Sequence, residues 1–171
     1  MSTHFPDWLP DPIDTNGSWD EILDRLWTVF ESQIASGLYF RGRPVWYDRG
    51  KDDGKPRCFW HITHRDHKEY DPRFRKMVIR DRLVDTARAR CLSWLRTILE
   101  NTHREEVLCW DYREDDGRMA TYVWLECCDY VIILGHQETK KGIVYRIVSA
   151  YVTDYPRKRD QLHDKYANRE A

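Results

Sequence analysis

The sequence predicts an α+β fold, in which N-terminal helices pack on a four- to five-stranded antiparallel sheet. Two amphipathic helical patterns lie within the first 101 residues, and four β-like runs joined by short turns occupy 107–153. Strands that follow one another with short connections favour antiparallel pairing. At 171 residues the chain suits one domain, so we expect an irregular arm over 1–17 and a single α+β domain over 18–171.

The first helix is predicted over 18–36. Ser18 and Glu21 form a capping-box pattern, in which each side chain satisfies a free backbone amide of the other residue. Apolar residues then recur at helical spacing up to Gly37, which ends the pattern; they are Trp19, Ile22, Leu23, Leu26, Trp27, Phe30 and Ile34.

The middle of the chain mixes β-like and polar stretches. The segment 38–46 is predicted to be extended, and 48–56 to be a polar loop. The aromatic run RCFWHITH (57–64) is typical of a short buried strand, and the charged stretch 65–80 indicates a loop. A second helix is predicted over 81–101, where Leu83, Trp94 and Ile98 belong to an apolar stripe.

The C-terminal half is a predicted strand series. The runs 107–114 and 119–126 meet across Asp115-Asp116-Gly117, a strong hairpin signal. The runs 128–137 and 142–153 follow, joined by a short turn. Residues 155–169 form a basic terminal helix or tail.

Composition limits the function classes. The net charge is −1, yet residues 1–35 hold seven acidic residues and one arginine, so the remainder is basic. A basic body fits a polyanion partner and fits an ordinary solvated surface nearly as well. The sequence has neither a membrane-length apolar run nor a signal-peptide pattern, so we expect a cytoplasmic protein with no membrane partner. The five cysteines lack a CxxC pair, which argues against disulfides and zinc ribbons.

Histidine, arginine and hydroxyl side chains supply the candidate chemistry. On a strand, His61 and Thr63 share one face, and a core histidine bonded to backbone is the competing interpretation. On a helix Arg88 and Arg90 point in different directions, so at most one faces a given phosphate. The spacing of His61, His64 and His67 is also that of a metal site on a helix. The sequence indicates a strand and a loop over these residues, which argues against that alternative.

The last strand adds two candidates. Ser149 and Tyr151 lie on one face, alternating with apolar residues on the other, and they suit phosphate binding or base stacking. The competing interpretation is that Tyr151 only covers the sheet.

Three stretches carry a family resemblance: FRGRPVWYDRGKDDGKPRCFWHITHR (40–65), RARCLSWLRTILEN (88–101) and the segment from Tyr122 to Tyr166. In order and spacing they resemble a phage- and prophage-associated, RlfB-like family of the Barnase–EndoU–colicin–RelE-like nuclease superfamily. The resemblance implies RNA cleavage without metal or cofactor, with the ribose 2′-OH as nucleophile. It favours Arg88 over Arg90 and matches Ser149 to a position where relatives often carry threonine.

The predicted function is therefore a metal-independent endoribonuclease-like domain, phage- or toxin-associated. The predicted catalytic residues are His61, Arg88, Ser149 and Tyr151, and the predicted substrate-binding residues are Thr63, His64, Arg65, Arg90, Arg146 and Arg157. We expect RNA as the partner, with tRNA among the candidates, and a neutralising or target protein as a further partner. The alternative is a catalytically inactive module that binds RNA or protein on the same fold.

Overall fold

The computed structural model describes residues 5–171. Residues 5–17 contain no helix or strand, and they pack on the protein through Trp94 Nε1, which donates a 2.8 Å hydrogen bond to the Pro10 carbonyl. Helix α1 (Trp19–Phe30) begins at the predicted capping box, where the Ser18 amide donates to Glu21 Oε2 at 2.8 Å. A π-helical turn, Glu31–Ala35, extends it.

A six-stranded mixed sheet forms the centre of the molecule, so the α+β prediction is confirmed. Its order is β1-β2-β10-β9-β8-β7, with bounds Tyr39–Phe40, Arg43–Trp46, Gly142–Val152, Tyr130–Thr139, Met119–Leu125 and Val107–Arg113. Strands β7 to β10 form the predicted antiparallel meander. The prediction of a purely antiparallel sheet is wrong, because β2 pairs with β10 in parallel through Val45 and Trp46.

Residues 57–63 of the run RCFWHITH form a helix, so the prediction of a strand over 57–64 is wrong. Two short strands, β3 (Lys51–Asp52) and β4 (Lys55–Pro56), precede helix α2 (Arg57–Thr63). The side chains of Phe59, Ile62 and Thr63 are completely buried, which a helix embedded among other elements requires. Periodicity cannot separate a short buried helix from a buried strand, since both show an unbroken apolar run.

The predicted loop over 65–80 is also wrong. It forms a hairpin of β5 (His64–Asp71) and β6 (Lys76–Val84), which extends into the stretch predicted as the second helix. The helix itself begins later, where Asp85 caps α3 (Thr86–Arg90). It continues through a 3₁₀ turn, Cys91–Trp94, into α4 (Leu95–Glu100).

The two faces of the sheet differ in what covers them. Helices α1 to α4 and one sheet face enclose the main core, which includes Phe30, Leu95 and Ile132. On the opposite face, helix α5 (Pro156–Ala167) places Leu162 against a smaller cluster around Trp110 and Trp124. Helix α5 covers only part of this face. Within 5–171, no helix is both long and apolar enough to cross a membrane.

Candidate functional site

A cleft of about 800 Å³ lies on the part of the sheet that α5 leaves uncovered. The side of the sheet that forms its floor contributes Ala120, Tyr122, Ile133, Arg146 and Val148. Helix α2, the β5–β6 hairpin and the turns before β3 and β8 form the walls, with Trp60, His61, Asp48, Asp52, Arg57, Asp66, Ile79, Arg82, Glu114, Asp116 and Arg118 among the lining residues. This cleft is the candidate site.

His61 points from α2 into the cleft. Its neighbours Trp60 and Ile62 are buried in the core, so the turn of the helix leaves the imidazole at the surface. Burial of part of the ring lowers the pKa of His61, the charge of Arg88 lowers it further, and a hydrogen bond to the Val148 backbone opposes this shift. A histidine with a lowered pKa is neutral at physiological pH, which suits a general base.

A β-bulge lies directly beside His61. The pairing of β10 with β9 shifts between Ile147 and Ser149, so Val148 is an extra residue, and its side chain is 52% exposed. Bulges re-aim side chains and are frequent near active sites. The sequence does not predict this bulge, because Ser149 and Tyr151 alternate regularly with Val148, Ala150 and Val152.

Arg88 holds helices α2 and α3 together. Its Nη1 donates a 2.5 Å hydrogen bond to the His61 carbonyl, and its Nε lies 3.6 Å from Asp85 Oδ2. Burial raises the pKa of Tyr151, and the positive charge of Arg88 opposes part of this rise. These two predicted residues therefore interact electrostatically. Arg88 is therefore placed to position His61, and it is not among the residues that line the cleft.

Ser149 and Tyr151 share the cleft face of the sheet, as predicted. Ser149 pairs with Ile133, which lines the cleft, and Tyr151 pairs with Val131 in the cluster covered by α5. Lys158 Nζ lies 4.9 Å from the Tyr151 ring centroid. Ser149 is thus next to the cleft, whereas Tyr151 lies towards the covered end of the face.

The predicted substrate-binding residues separate into two groups. Arg146 lines the cleft, half exposed, with its Nη2 3.8 Å from Asp48 Oδ2. Arg65, Arg90 and Arg157 are exposed outside the cleft lining, and Arg65 is bonded to Asp85 at 2.7 Å.

Thr63 and His64 belong to the core, which corrects their assignment to the substrate. Thr63 Oγ1 donates to the Phe59 carbonyl at 2.6 Å and lies 2.5 Å from His64 Nδ1. His64 packs edge-on against the Trp19 and Trp60 rings, and burial lowers its pKa to about 4. The prediction of Thr63 depends on strand alternation, which does not apply because residues 57–63 form a helix.

Sequence reasoning missed a polar network at the far end of the cleft. The Tyr122 hydroxyl donates to Glu114, and Lys165 Nζ donates to Glu114 Oε2 and to the Tyr122 oxygen, each at 2.6 Å. Burial and the bond to Glu114 raise the pKa of Tyr122. These residues come from β8, from the turn before it and from α5, so no local pattern connects them.

A second network lies on the opposite face of the sheet, at the edge of the main core. The Thr121 hydroxyl lies 2.6 Å from Asp111 Oδ1 and 2.7 Å from His136 Nε2, and Arg41 Nη1 donates to Asp111 at 3.0 Å. Thr121 is completely buried, and each charge is satisfied by its neighbours. This network ties the β1–β2 turn to the sheet.

No protein-family model, curated protein or solved structure matches this chain. Within 5–171, no group of three or more histidine, cysteine, aspartate or glutamate residues could hold a metal ion. The triple-histidine alternative also loses its geometric basis, since His64 is buried and His67 lies on strand β5.

Proposed function

We propose that this protein is a metal-independent endoribonuclease-like domain that acts on RNA in the cleft. The observation that carries the proposal is the exposed imidazole of His61, beside the Val148 bulge and in the same cleft as Arg146. A neutral imidazole can accept a proton at physiological pH, and a guanidinium can bind a phosphate through two parallel hydrogen bonds.

The reaction is a transesterification. His61 accepts the proton of the ribose 2′-OH, and the 2′-oxygen attacks phosphorus. The bond from phosphorus to the 5′-oxygen breaks, and the departing oxygen takes a proton from water in the open cleft. The protonated His61 then returns its proton to the hydroxide that remains, which restores the neutral imidazole and the water. The products are a 2′,3′-cyclic phosphate and a 5′-OH. Arg146 stabilises the charge that develops on the phosphorane, and Ser149, next to the cleft on the same face of the sheet, contacts the phosphate.

The direct test is incubation of the purified protein with total RNA and with tRNA in the presence of EDTA. We expect fragments with cyclic-phosphate ends, and removal of a general base in His61→Ala lowers the rate by about 100- to 10,000-fold. The matched control is His103→Ala, which removes an exposed histidine from the turn before β7, outside the cleft lining. Intact RNA at micromolar wild-type protein would overturn the proposal.

One observation favours a second candidate, an RNA- or protein-binding module without catalysis. Carboxylates also line the cleft and pair with its arginines, as Asp52 does with Arg57 at 3.3 Å and Asp66 with Arg82 at 3.8 Å. These carboxylates engage cations that would otherwise stabilise the charge developing on the phosphorane, so they favour binding without catalysis. RNA that binds at low salt and stays intact, with equal affinity in wild type and His61→Ala, identifies this second function.

A further inference from the structure

The β5–β6 hairpin, His64–Val84, carries an unusual number of exposed apolar side chains. It forms a separate two-stranded sheet, which pairs with no other strand of the described chain. Tyr70, Phe74 and Met77 are each more than half exposed, and Ile79 is 42% exposed. An isolated hairpin gains little from such residues, so their exposure indicates a binding role.

The apolar side chains continue the wall of the cleft. The strand register pairs Tyr70 with Met77 and Lys68 with Ile79, which places these four on one face of the hairpin. Asp66, two residues from Lys68, and Arg82, three residues from Ile79 across a shift in the register, follow on the same face towards the base of the hairpin. Ile79, Asp66 and Arg82 also line the cleft. The hairpin face and the cleft are therefore one continuous surface.

Cations surround the aromatic tip. Arg73 and Lys76 lie 5.6 Å and 5.9 Å from the Phe74 ring centroid. The acidic residues there are neutralised locally, since Asp71 bonds Arg73 and Arg80, and Glu69 lies 3.5 Å from Arg80. Within the described part of the chain, Lys68, Arg75 and Lys76 form no ion pair.

We infer that this hairpin is an arm that binds single-stranded RNA and leads it into the cleft, an inference that rests on the proposed function for its choice of ligand. Bases stack on Tyr70 and Phe74, and Lys68, Arg75 and Lys76 hold the phosphates. Aromatic rings interleaved with cations are the usual means of binding single strands, whose unpaired bases present free faces. A duplex, with its bases already stacked, offers no such faces.

The experiment measures fluorescence anisotropy of a labelled 2′-O-methyl oligoribonucleotide, which binds but cannot be cleaved through its 2′-oxygen. Tyr70→Ala/Phe74→Ala weakens binding at least about fivefold. Tyr39→Ala, which removes an exposed tyrosine outside the cleft lining, leaves binding unchanged. Arg75→Ala/Lys76→Ala lowers the slope of log affinity against log salt by about 1.4. Lys140→Ala/Lys141→Ala, from the β9–β10 turn, does not change it.

The outcomes separate this inference from the proposed function. Loss of binding in the arm variants, with thermal unfolding midpoints like those of the controls, supports the arm even if natural RNA is never cleaved. Equal binding by wild type and by the hairpin variants overturns the inference that the hairpin binds RNA, and it leaves the proposal of cleavage at His61 unaffected. Failure of wild type to bind the single strand, or equal affinity for a matched duplex, also overturns it and makes a protein the better occupant of the exposed face.

Discussion

The guanidinium of Arg88 donates a 2.5 Å hydrogen bond to the backbone carbonyl of His61. His61 is the third residue from the C-terminal end of helix α2. Arg88 also faces Asp85, whose carboxylate caps α3 by accepting from the Arg88 amide at 3.2 Å. One side chain thus fixes the end of the helix that carries the exposed imidazole. The same cation stands close enough to lower the pKa of that imidazole.

Replacing Arg88 should therefore raise the pKa of His61. In Arg88→Gln the nearby positive charge is lost, so the protonated imidazole is less disfavoured. Titration of the His61 ring signals by NMR measures this directly, and Arg90→Gln, two residues away and exposed, is the matched control. An unchanged or lower pKa in Arg88→Gln would contradict the assigned contact. If His61 is the base, cleavage near neutral pH also falls.

Asp85 should contribute to stability as well as to helix capping. Burial raises the pKa of its carboxyl, but the hydrogen bonds from Arg65 and the Arg88 amide, and both charges, outweigh burial and lower it overall. Asp85→Asn removes a charged acceptor from two arginines, and we expect it to cost about 2–3 kcal/mol of unfolding free energy. Urea denaturation measures the loss. Asp154→Asn, in an exposed position after β10, should cost less than about 0.5 kcal/mol.

Because Asp85 has a lowered folded-state pKa, its contribution is present above the unfolded pKa and disappears as the pH falls through the folded value. The gap in stability between wild type and Asp85→Asn should accordingly narrow on acidification. A gap that widens towards low pH would contradict the ion-pair assignment.

His64 should make the protein sensitive to mild acid. Burial of the ring among Trp19, Phe59 and Trp60 lowers its pKa from 6.5 to about 4, and the charge of Arg82 contributes to this shift. Its Nε2 has no hydrogen-bond partner within the described chain. The unfolded chain binds a proton below pH 6.5, whereas the folded protein resists it down to about pH 4. Stability is thus lost as the pH falls through this interval, and between pH 7 and 5 we expect a loss of about 2 kcal/mol from this residue.

The check is denaturant unfolding of wild type and His64→Phe at both pH values. Phenylalanine keeps the aromatic packing and removes the titration, so the loss on acidification should shrink by about 2 kcal/mol. Equal losses in the two proteins would show that His64 titrates normally.

Local signals explain which parts of the fold the sequence predicts. The capping box at Ser18 and the turn at Gly117 act within a few residues, and the elements they predict are present. The parallel pairing of Val45 with Tyr145 joins residues far apart in the chain, and no periodicity reports it. The sequence does not predict the β5–β6 hairpin, because charged residues occupy both of its faces and the usual alternation of apolar and polar residues is absent.

The sequence predicts only part of the candidate site, because it reports local signals and not long-range packing. A histidine can act as an acid or a base in any local conformation, so the prediction of His61 does not depend on the fold of its segment. The prediction of Thr63 depends on strand alternation, and it is wrong because the segment is a helix. The pairing of Arg88 with His61 depends on how α3 packs against α2, which only the folded chain reveals.

Leu162 should attach α5 to the sheet and thereby define the covered end of the cleft face. It is 3% exposed and packs in the cluster of Trp110 and Trp124. Leu162→Ala leaves a cavity, and we expect a cost of about 2–4 kcal/mol. Leu83→Ala, at a site 62% exposed, should cost far less. Similar midpoints for both variants in thermal unfolding would mean that α5 is not held by this residue.

The bulge at Val148 can be removed without changing the strand pairs on either side of it. Ile147 already pairs with Leu134 and Ser149 with Ile133, so deletion of Val148 leaves two consecutive pairs and a regular ladder. The fold should persist, with little change in the unfolding midpoint.

The deletion removes the backbone group that bonds the His61 ring, and we expect RNA cleavage to fall at least about tenfold as the imidazole loses its orientation. Val148→Ala keeps the bulge and its backbone and shortens only one apolar side chain of the cleft floor, so it should lose far less activity than the deletion. Equal activity in the deletion and in Val148→Ala would show that the bulge does not position His61, and a general base elsewhere in the cleft would then have to be sought.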